Sequence, residues 1–152
     1  MHLPPFQTLI DEHGAGVHRL LVGLVGPTDA DDCLQETLLA ALRAYPSLQD
    51  AGNLRGWLFT IGRRKAIDAI RERRRAVPVA DVDDVAAPDC SEALGVWGAV
   101  ATLPPKQREA VALRFAASFA YAEIGGAMET TEEAARRNVH EGLKRLREVM
   151  PR

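Results

Sequence analysis

Apolar side chains near the N-terminus, with one histidine among them, recur at steps of three and four residues, which is the period of an amphipathic helix. The residues in this series are Phe6, Leu9, Ile10, His13, Val17, Leu20, Leu21 and Leu24. Gly14 and Gly16 interrupt the series and weaken the prediction, because glycine is unfavourable inside a helix. A turn follows, in which Thr28 or Asp29 is the expected N-cap of the next helix.

The second predicted helix covers about residues 29–45 and has two different faces. The face expected to be buried consists of Cys33, Leu34, Thr37, Leu38, Ala41, Leu42 and Tyr45. The opposite face carries polar side chains and one leucine, namely Asp32, Gln35, Glu36, Leu39 and Arg43. Such a face favours a basic helical partner, because carboxylates steer the encounter and the leucine contributes buried area. An ordinary solvated face is the alternative interpretation.

Residues 46–53 have the composition of a loop, and Asn53 is the expected cap of a third helix that runs to about Arg75. The first turns of that helix are rich in large apolar side chains, namely Leu54, Trp57, Leu58, Phe59 and Ile61. Trp57 has two open interpretations: a core residue, or a stacking surface for nucleic-acid bases. Residues 76–95 are rich in Asp and Ala, which predicts an extended and flexible linker.

The last third of the chain predicts four helices, over about residues 93–103, 106–117, 121–128 and 132–150. Pro104 and Pro105 separate the first two, and a proline is tolerated in the first turn of a helix. Thr130 and Thr131 are both candidates to cap the last helix, and Thr130 with Glu133 fits a capping box.

No segment shows the alternating period of a strand, so the predicted fold class is all-α. We expect two small helical bundles joined by a flexible acidic linker. The predicted domains are residues 1–75 and 96–152, and the predicted linker is residues 76–95.

The net charge of −2 over 152 residues conceals a strongly uneven distribution. Residues 1–54 carry −5, residues 55–75 carry +6, residues 76–95 carry −5, and residues 96–152 carry +2. A basic block of this density indicates a binding surface for a polyanion, and nucleic acid is favoured because Trp57 and Phe59 directly precede it. A solvated helix surface is the alternative.

Several classes of protein are not favoured by the composition. No apolar run approaches the length of a membrane span and the N-terminus lacks the features of a signal peptide, so we expect a cytoplasmic protein without membrane insertion. The histidines have no metal-ligand spacing, and no nucleophile–base–acid set appears, so neither a cofactor nor an enzymatic activity is expected. Cys33 and Cys90 could form a redox pair, but a buried Cys33 and an exposed Cys90 are favoured.

Four motifs occur in a characteristic order along the chain. They are Asp31-Asp32-Cys33-Leu34-Gln35-Glu36-Thr37, the aromatic-to-basic stretch from Leu54 to Ile70, Leu103-Pro104 with Arg108-Glu109, and Tyr121-Ala122-Glu123-Ile124-Gly125. Together they resemble the extracytoplasmic-function sigma factors, the two-domain initiation subunits of bacterial RNA polymerase. The resemblance covers nearly the whole chain. It implies a sigma region 2-like bundle, a region 4-like helix-turn-helix bundle, and three partners: core RNA polymerase, promoter DNA and an anti-sigma factor.

The resemblance also implies roles for particular residues. Those implied to dock on core polymerase are Asp32, Gln35, Glu36 and Leu39. Those implied in minus-ten recognition and DNA melting are Ser47, Leu48, Gln49, Asn53, Arg55, Trp57, Arg63, Arg64, Lys65 and Arg71. Those implied in minus-thirty-five recognition are Tyr121, Arg136, Arg137, Asn138, His140 and Lys144. Opening a duplex requires a base to leave the stack, and aromatic surface from Trp57 and Phe59 with the arginine charges would offset that cost.

The C-terminal motif departs from the family pattern at four positions. Glu129 replaces the turn glycine of the family, and Glu133-Ala134 replaces Gly-Thr. Relatives also carry a basic residue near the position of Glu141. A non-glycine residue in a left-handed turn costs about 1–2 kcal/mol, so we expect a different turn shape. Three acids on the last helix, Glu132, Glu133 and Glu141, are expected to weaken its attraction for phosphates. Two alternatives remain: a sigma-like interaction protein with weak or no promoter reading, and a helix-turn-helix regulator that does not use polymerase. The second leaves the first 75 residues unexplained.

Overall fold

The computed structural model describes residues 3–49, 51–76 and 95–149, and every long regular element in those ranges is an α-helix. The helices are α1 (Phe6–Val25), α2 (Pro27–Ala44), α3 (Leu54–Ala76), α4 (Gly95–Val100), α5 (Pro105–Phe115), α6 (Tyr121–Ala127) and α7 (Glu132–Val149). A single 3₁₀ turn, Tyr45–Ser47, follows α2. The all-α prediction is confirmed. Residues 77–94, and with them Cys90 and nearly all of the predicted linker, lie outside the described residues.

The first bundle consists of α1, α2 and α3, each of which packs on the other two. Its core contains the fully buried side chains of Val17, Leu20 and Leu58. Thr37 is buried with them, and its hydroxyl donates to the carbonyl oxygen of Cys33 at 2.7 Å. This hydrogen bond removes the cost of burying an unpaired hydroxyl, so α2 presents a stable inner face to α1 and α3.

Two details of α2 differ from the prediction. The helix begins at Pro27 with Gly26 as its N-cap, and no side chain caps it, so the expected role of Thr28 or Asp29 is wrong. Gly26 has φ 87°, which glycine adopts readily, and Pro27 is well suited to the first helical position. Leu42 was assigned to the buried face but is 51% exposed.

Close packing explains why α1 contains Gly16, a residue of low helix propensity. A Cβ atom at this position would lie 2.9 Å from Cζ of Phe59 and 3.4 Å from the carbonyl oxygen of Ala116. The missing side chain therefore lets α3 and the α5–α6 loop approach the backbone of α1 closely. Gly16 is a packing requirement, and the packing outweighs its helix-propensity cost of about 1 kcal/mol.

The second bundle consists of α4, α5, α6 and α7, with α6 and α7 forming a helix-turn-helix. Ile124 and Val139 are fully buried between these helices. Gly142 permits the close crossing of α5 and α7, since a Cβ atom there would lie 2.6 Å from Cγ2 of Val111.

The turn between α6 and α7 keeps the left-handed shape that glycine normally provides. Glu129 has φ 56°. The amide of Thr130 donates to the carbonyl oxygen of Gly125 at 2.8 Å, and the amide of Glu129 donates to that of Gly126 at 3.3 Å, which is the Schellman pattern. The expected change of turn shape is therefore wrong, because these hydrogen bonds hold Glu129 in the strained conformation.

The cap of α7 also differs in detail from the capping box suggested by Thr130 and Glu133. The hydroxyl of Thr131 accepts a hydrogen bond from the amide of Ala134 at 3.0 Å, so Thr131 is the N-cap. At the start of α6, the carboxylate of Glu123 accepts from the amide of Ala120 at 2.9 Å. Each helix of the motif therefore has one side-chain hydrogen bond at its N-terminus.

The two bundles pack against each other through α1, which contacts both α4 and α5. Gly23 lies at this contact: a Cβ atom there would be 3.3 Å from Cβ of Ala112 and 3.3 Å from Cγ1 of Val100. Leu24 and Val100 are almost completely buried beside it. The apolar cores of the two bundles are therefore continuous.

Candidate nucleic-acid and partner interfaces

The outer face of α2 carries the residues proposed to meet a protein partner. Asp32, Gln35 and Glu36 are all exposed, and Leu39 is 45% exposed. Leu42 extends this face, and sequence reasoning missed it. The available signal was its position three residues after Leu39, since residues three apart are neighbours on a helix surface. The face thus joins two acidic groups to a pair of exposed leucines.

The inner side of α2 holds Cys33 in an apolar site. Burial, and after it the negative charges of Asp29, Glu36 and Asp32, raise the pKa of the Cys33 thiol to about 11. The thiol is therefore protonated at neutral pH and packs as a small apolar group.

The start of α3 and the loop before it are held by specific contacts. The Asn53 carboxamide oxygen accepts a hydrogen bond from the amide of Gly56 at 3.0 Å, which confirms the predicted cap. Trp57 is half-buried, and its ring lies 6.0 Å from the ring of Tyr45. Phe59 is only 3% exposed, so its predicted role as a stacking surface for bases is wrong: it is a core residue.

The other predicted minus-ten residues differ in exposure. Leu48 and Lys65 are half-buried, whereas the exposed members are Ser47, Gln49, Asn53, Arg64 and Arg71. Arg64 and Arg71 share one stripe of α3 with exposed Asp68 and Arg75. This stripe places three guanidinium groups on a solvent-facing surface, with the carboxylate of Asp68 between the first two.

Two cations of the first bundle are engaged by the second bundle. The Nε atom of Arg63 forms an ion pair with Oε1 of Glu109 on α5. Nη1 of Arg55 donates to the carbonyl oxygen of Ala117, and its guanidinium carbon lies 5.9 Å from the centre of the Phe119 ring. Both arginines are half-buried. The structure therefore places two predicted DNA-binding residues within the contact between the bundles.

A groove of about 690 Å³ follows the same contact. Trp57, Arg63 and Arg64 line its first-bundle side, and Glu123 and Glu129 line its second-bundle side. Side chains of opposite charge thus line the two sides of the groove.

The second bundle exposes one face of α7. Its inward positions are Ala135, Val139, Gly142 and Leu146, and they leave Arg136, Arg137, His140 and Lys144 exposed and Asn138 half-buried. Five of the six residues predicted to read the minus-thirty-five element therefore lie along α7, and the sixth, Tyr121, lies at the start of α6. The Tyr121 ring lies under two guanidinium groups, those of Arg114 and Arg136, whose central carbons are 4.5 Å and 4.9 Å from the ring centre.

The acidic residues of α7 share that exposed face. Glu133 and Glu141 are both exposed. The carboxylate of Glu141 accepts a long hydrogen bond of 3.4 Å from the side-chain amide of Gln107 on α5. Neither carboxylate is buried, so both contribute local negative potential.

Among the residues that the structure describes, no helix has the length and apolar character to cross a membrane. Within the same ranges, no group of three or more His, Cys, Asp or Glu side chains is arranged to hold a metal ion.

Comparison with known proteins gives matches over most of the chain. Residues 9–76 match the family model of sigma-70 region 2, and residues 93–146 match that of sigma-70, region 4. The RNA polymerase sigma factor CarQ of Myxococcus xanthus is 30% identical over 154 residues, covering 95% of this chain and 88% of CarQ. The ECF RNA polymerase sigma factor SigF of Caulobacter vibrioides is 37% identical over 131 residues, covering 83% of this chain and 73% of SigF.

The fold is also similar to a solved structure. The sigma factor RpoE, in complex with the anti-sigma factor NepR from Bartonella quintana, superposes with a TM-score of 0.76. The two chains are 25% identical, and the superposition covers 94% of each.

The contact between the bundles can be tested at Gly23. We expect Gly23→Leu to separate the bundles, because its side chain would overlap Ala112 and Val100, and overpacking of this kind costs about 1–3 kcal/mol. The radius of gyration in small-angle X-ray scattering should increase while the helical circular dichroism stays unchanged. Gly14→Leu is the matched control on the same helix, since a Cβ atom there meets only Ile10, at 3.5 Å. Equal radii for both variants and the wild type would contradict the described contact.

Proposed function

The chain belongs to the sigma-70 family as an extracytoplasmic-function (ECF) sigma factor, and from that membership we propose how its surfaces serve transcription initiation. As a sigma factor it binds core RNA polymerase and promoter DNA and directs polymerase to specific promoters. The observation that carries this function is the presence of both sigma regions, in family order, within one chain.

We propose that core polymerase docks on the outer face of α2. Asp32, Gln35, Glu36 and Leu39 form this surface, and Leu42 extends it. The proposal is supported by their shared exposure and by the mixture of carboxylates and apolar area. Long-range attraction from the carboxylates would accelerate the encounter, and burial of the leucines would stabilise the complex.

Charge reversal on α2 tests this surface. The double variant Asp32→Lys with Glu36→Lys should lose co-purification with core polymerase, because both steering charges become repulsive toward a basic partner. The matched control is Asp11→Lys with Glu12→Lys, the same charge change on exposed residues of α1. Retention of polymerase by the α2 variant at the wild-type level, with unchanged circular dichroism, would contradict the proposed surface.

We propose that α3 and the loop before it act in minus-ten recognition and melting. Arg64, Arg71 and the half-buried Lys65 would bind phosphates directly. Arg55 and Arg63 would join them when phosphates replace Ala117 and Glu109 as partners. Trp57, Ser47, Leu48, Gln49 and Asn53 remain proposed contacts to the separated strand.

The phosphate contacts of α3 are testable through salt dependence. Arg64→Glu should reduce the slope of log affinity against log salt for holoenzyme on promoter DNA by about one, and adding Arg71→Glu should reduce it by about one more. The control is Arg19→Glu, an identical charge change at an exposed position of α1, which should leave the slope unchanged. Equal slopes for all of these proteins would show that the α3 stripe does not bind phosphate.

We propose that α7 reads the minus-thirty-five element in the major groove. Arg136, Arg137 and Asn138 lie in its N-terminal half, where recognition helices contact base edges, and His140 and Lys144 follow further along. The left-handed turn at Glu129 supports this role, since the motif keeps its geometry without a glycine. Exposed Glu133 and Glu141 favour a second candidate, a sigma-like interaction protein with weaker promoter reading.

The family also supports three broader proposals. We propose that the chain acts in the cytoplasm with RNA polymerase and that it contributes no catalytic step of its own. We further propose an anti-sigma partner, because the similar protein RpoE was solved in complex with the anti-sigma factor NepR.

A further inference from the structure

One aromatic ring links three helices of the helix-turn-helix bundle. Tyr121 is the first residue of α6, Arg114 lies at the end of α5, and Arg136 lies in the second turn of α7. The guanidinium carbons of Arg114 and Arg136 lie over the Tyr121 ring, 4.5 Å and 4.9 Å from its centre. Both distances are within the range of a cation–π interaction.

A contact of this kind leaves the hydrogen-bond donors of a guanidinium available when the guanidinium lies face-on over the ring. The N–H groups of a guanidinium lie in its plane, whereas an aromatic ring attracts its face. An arginine that reads guanine uses two of these in-plane donors. Stacking on Tyr121 and reading of a base are therefore compatible in one side chain.

Unlike the Tyr121 ring, the carboxylate of Glu132 occupies a hydrogen-bond donor of Arg136. Oε1 of Glu132 lies 3.5 Å from Nη2 of Arg136, one turn earlier on α7. This ion pair engages a donor atom that a base would need. The side chain of Arg136 is 47% exposed, so it can exchange this partner for DNA.

Arg114 gives the ring a fixed support. Its Nη1 atom donates to the carbonyl oxygen of Phe119 at 3.0 Å, which ties the guanidinium to the backbone of the α5–α6 loop. Arg114 is half-buried, and so is Tyr121. The position of the ring is thus set by α5 and α6, and the ring in turn limits the directions open to Arg136.

We infer that Tyr121 is a positioning residue for Arg136, which holds that guanidinium in the orientation that reads the upstream promoter base. The inference rests on the proposed reading of DNA by α7. It also changes the expected role of Tyr121, from a residue that contacts DNA to a residue that positions the DNA-contacting side chain of Arg136. Restricting a long side chain before binding lowers the conformational entropy lost when the base contact forms.

The experiment compares base preferences of holoenzymes carrying full-length variants. The probe is a duplex library randomised over the upstream promoter element, and the preference of each holoenzyme is read by sequencing the bound fraction. Arg136→Ala should relax the preference at a single position. Tyr121→Leu should relax that same position by about two- to fivefold, the effect of losing one exposed cation–π contact. Tyr121→Phe keeps the ring face and should retain the preference.

The double variant shows whether Tyr121 acts by positioning Arg136 or by stabilising the bundle in general. In the double variant Tyr121→Leu with Arg136→Ala, the leucine should cause no further loss at that position, because its effect acts through Arg136. Should Tyr121→Leu fail to fold by circular dichroism, Tyr121→Gln makes the same test, since glutamine suits a half-exposed helix start.

The outcomes distinguish the inference from the function on which it rests. If Arg136→Ala relaxes the preference and the ring-deleting variant does not, the positioning role is wrong and the proposed reading by α7 stands. An equal loss of affinity for all sequences, or full additivity in the double variant, would also overturn the positioning role. If Arg136→Ala changes no preference, the proposed base reading by Arg136 fails, and the inference fails with it.

Discussion

Helix α1 packs against α2 and α3 of its own bundle and against α4 and α5 of the other, and this shared packing sets where both proposed DNA-binding surfaces lie. Two glycines make it possible. Gly16 accommodates Phe59 and the backbone at Ala116, and Gly23 accommodates Ala112 and other apolar side chains of the second bundle. Because interiors are close-packed, a side chain at either glycine would displace neighbouring atoms.

The shared packing has an electrostatic consequence. It brings Arg63 to Glu109 and Arg55 to the carbonyl oxygen of Ala117, so that two cations of the most basic segment have partners within the protein. Burial, and after it the positive charge of Arg74, lowers the pKa of Arg108, and the nearby carboxylate of Glu109 opposes this shift. A phosphate would offer Arg55 a stronger, charge-assisted partner than the backbone carbonyl of Ala117 does, whereas Arg63 already has a charged partner in Glu109.

Much of the fold follows from local pattern. The three- and four-residue period located α1 and α2, and Asn53 correctly marked the start of α3 through its hydrogen bond to Gly56. The assignment of Leu42 to the core was wrong, because near the end of a helix the period does not show which residues still have a neighbour to cover them.

The remaining differences depend on contacts that the pattern of hydrophobic and charged residues does not contain. Phe59 is a core residue because Gly16 leaves space for its ring, and these residues are far apart in sequence. The turn at Glu129 keeps its left-handed shape through backbone hydrogen bonds that are independent of side-chain type. The candidate surfaces on α2 and α7 were correctly predicted as exposed faces, whereas the partners of Arg63 and Arg136 required the structure.

Run-off transcription with core RNA polymerase on a panel of genomic promoter fragments tests the central claim most directly. A sigma factor should produce discrete transcripts that require both the chain and the core enzyme, from a subset of fragments with related upstream and downstream elements. Core binding without specific transcripts from any fragment, under conditions in which a control sigma factor is active, would contradict the account. It would favour a sigma-like interaction protein instead.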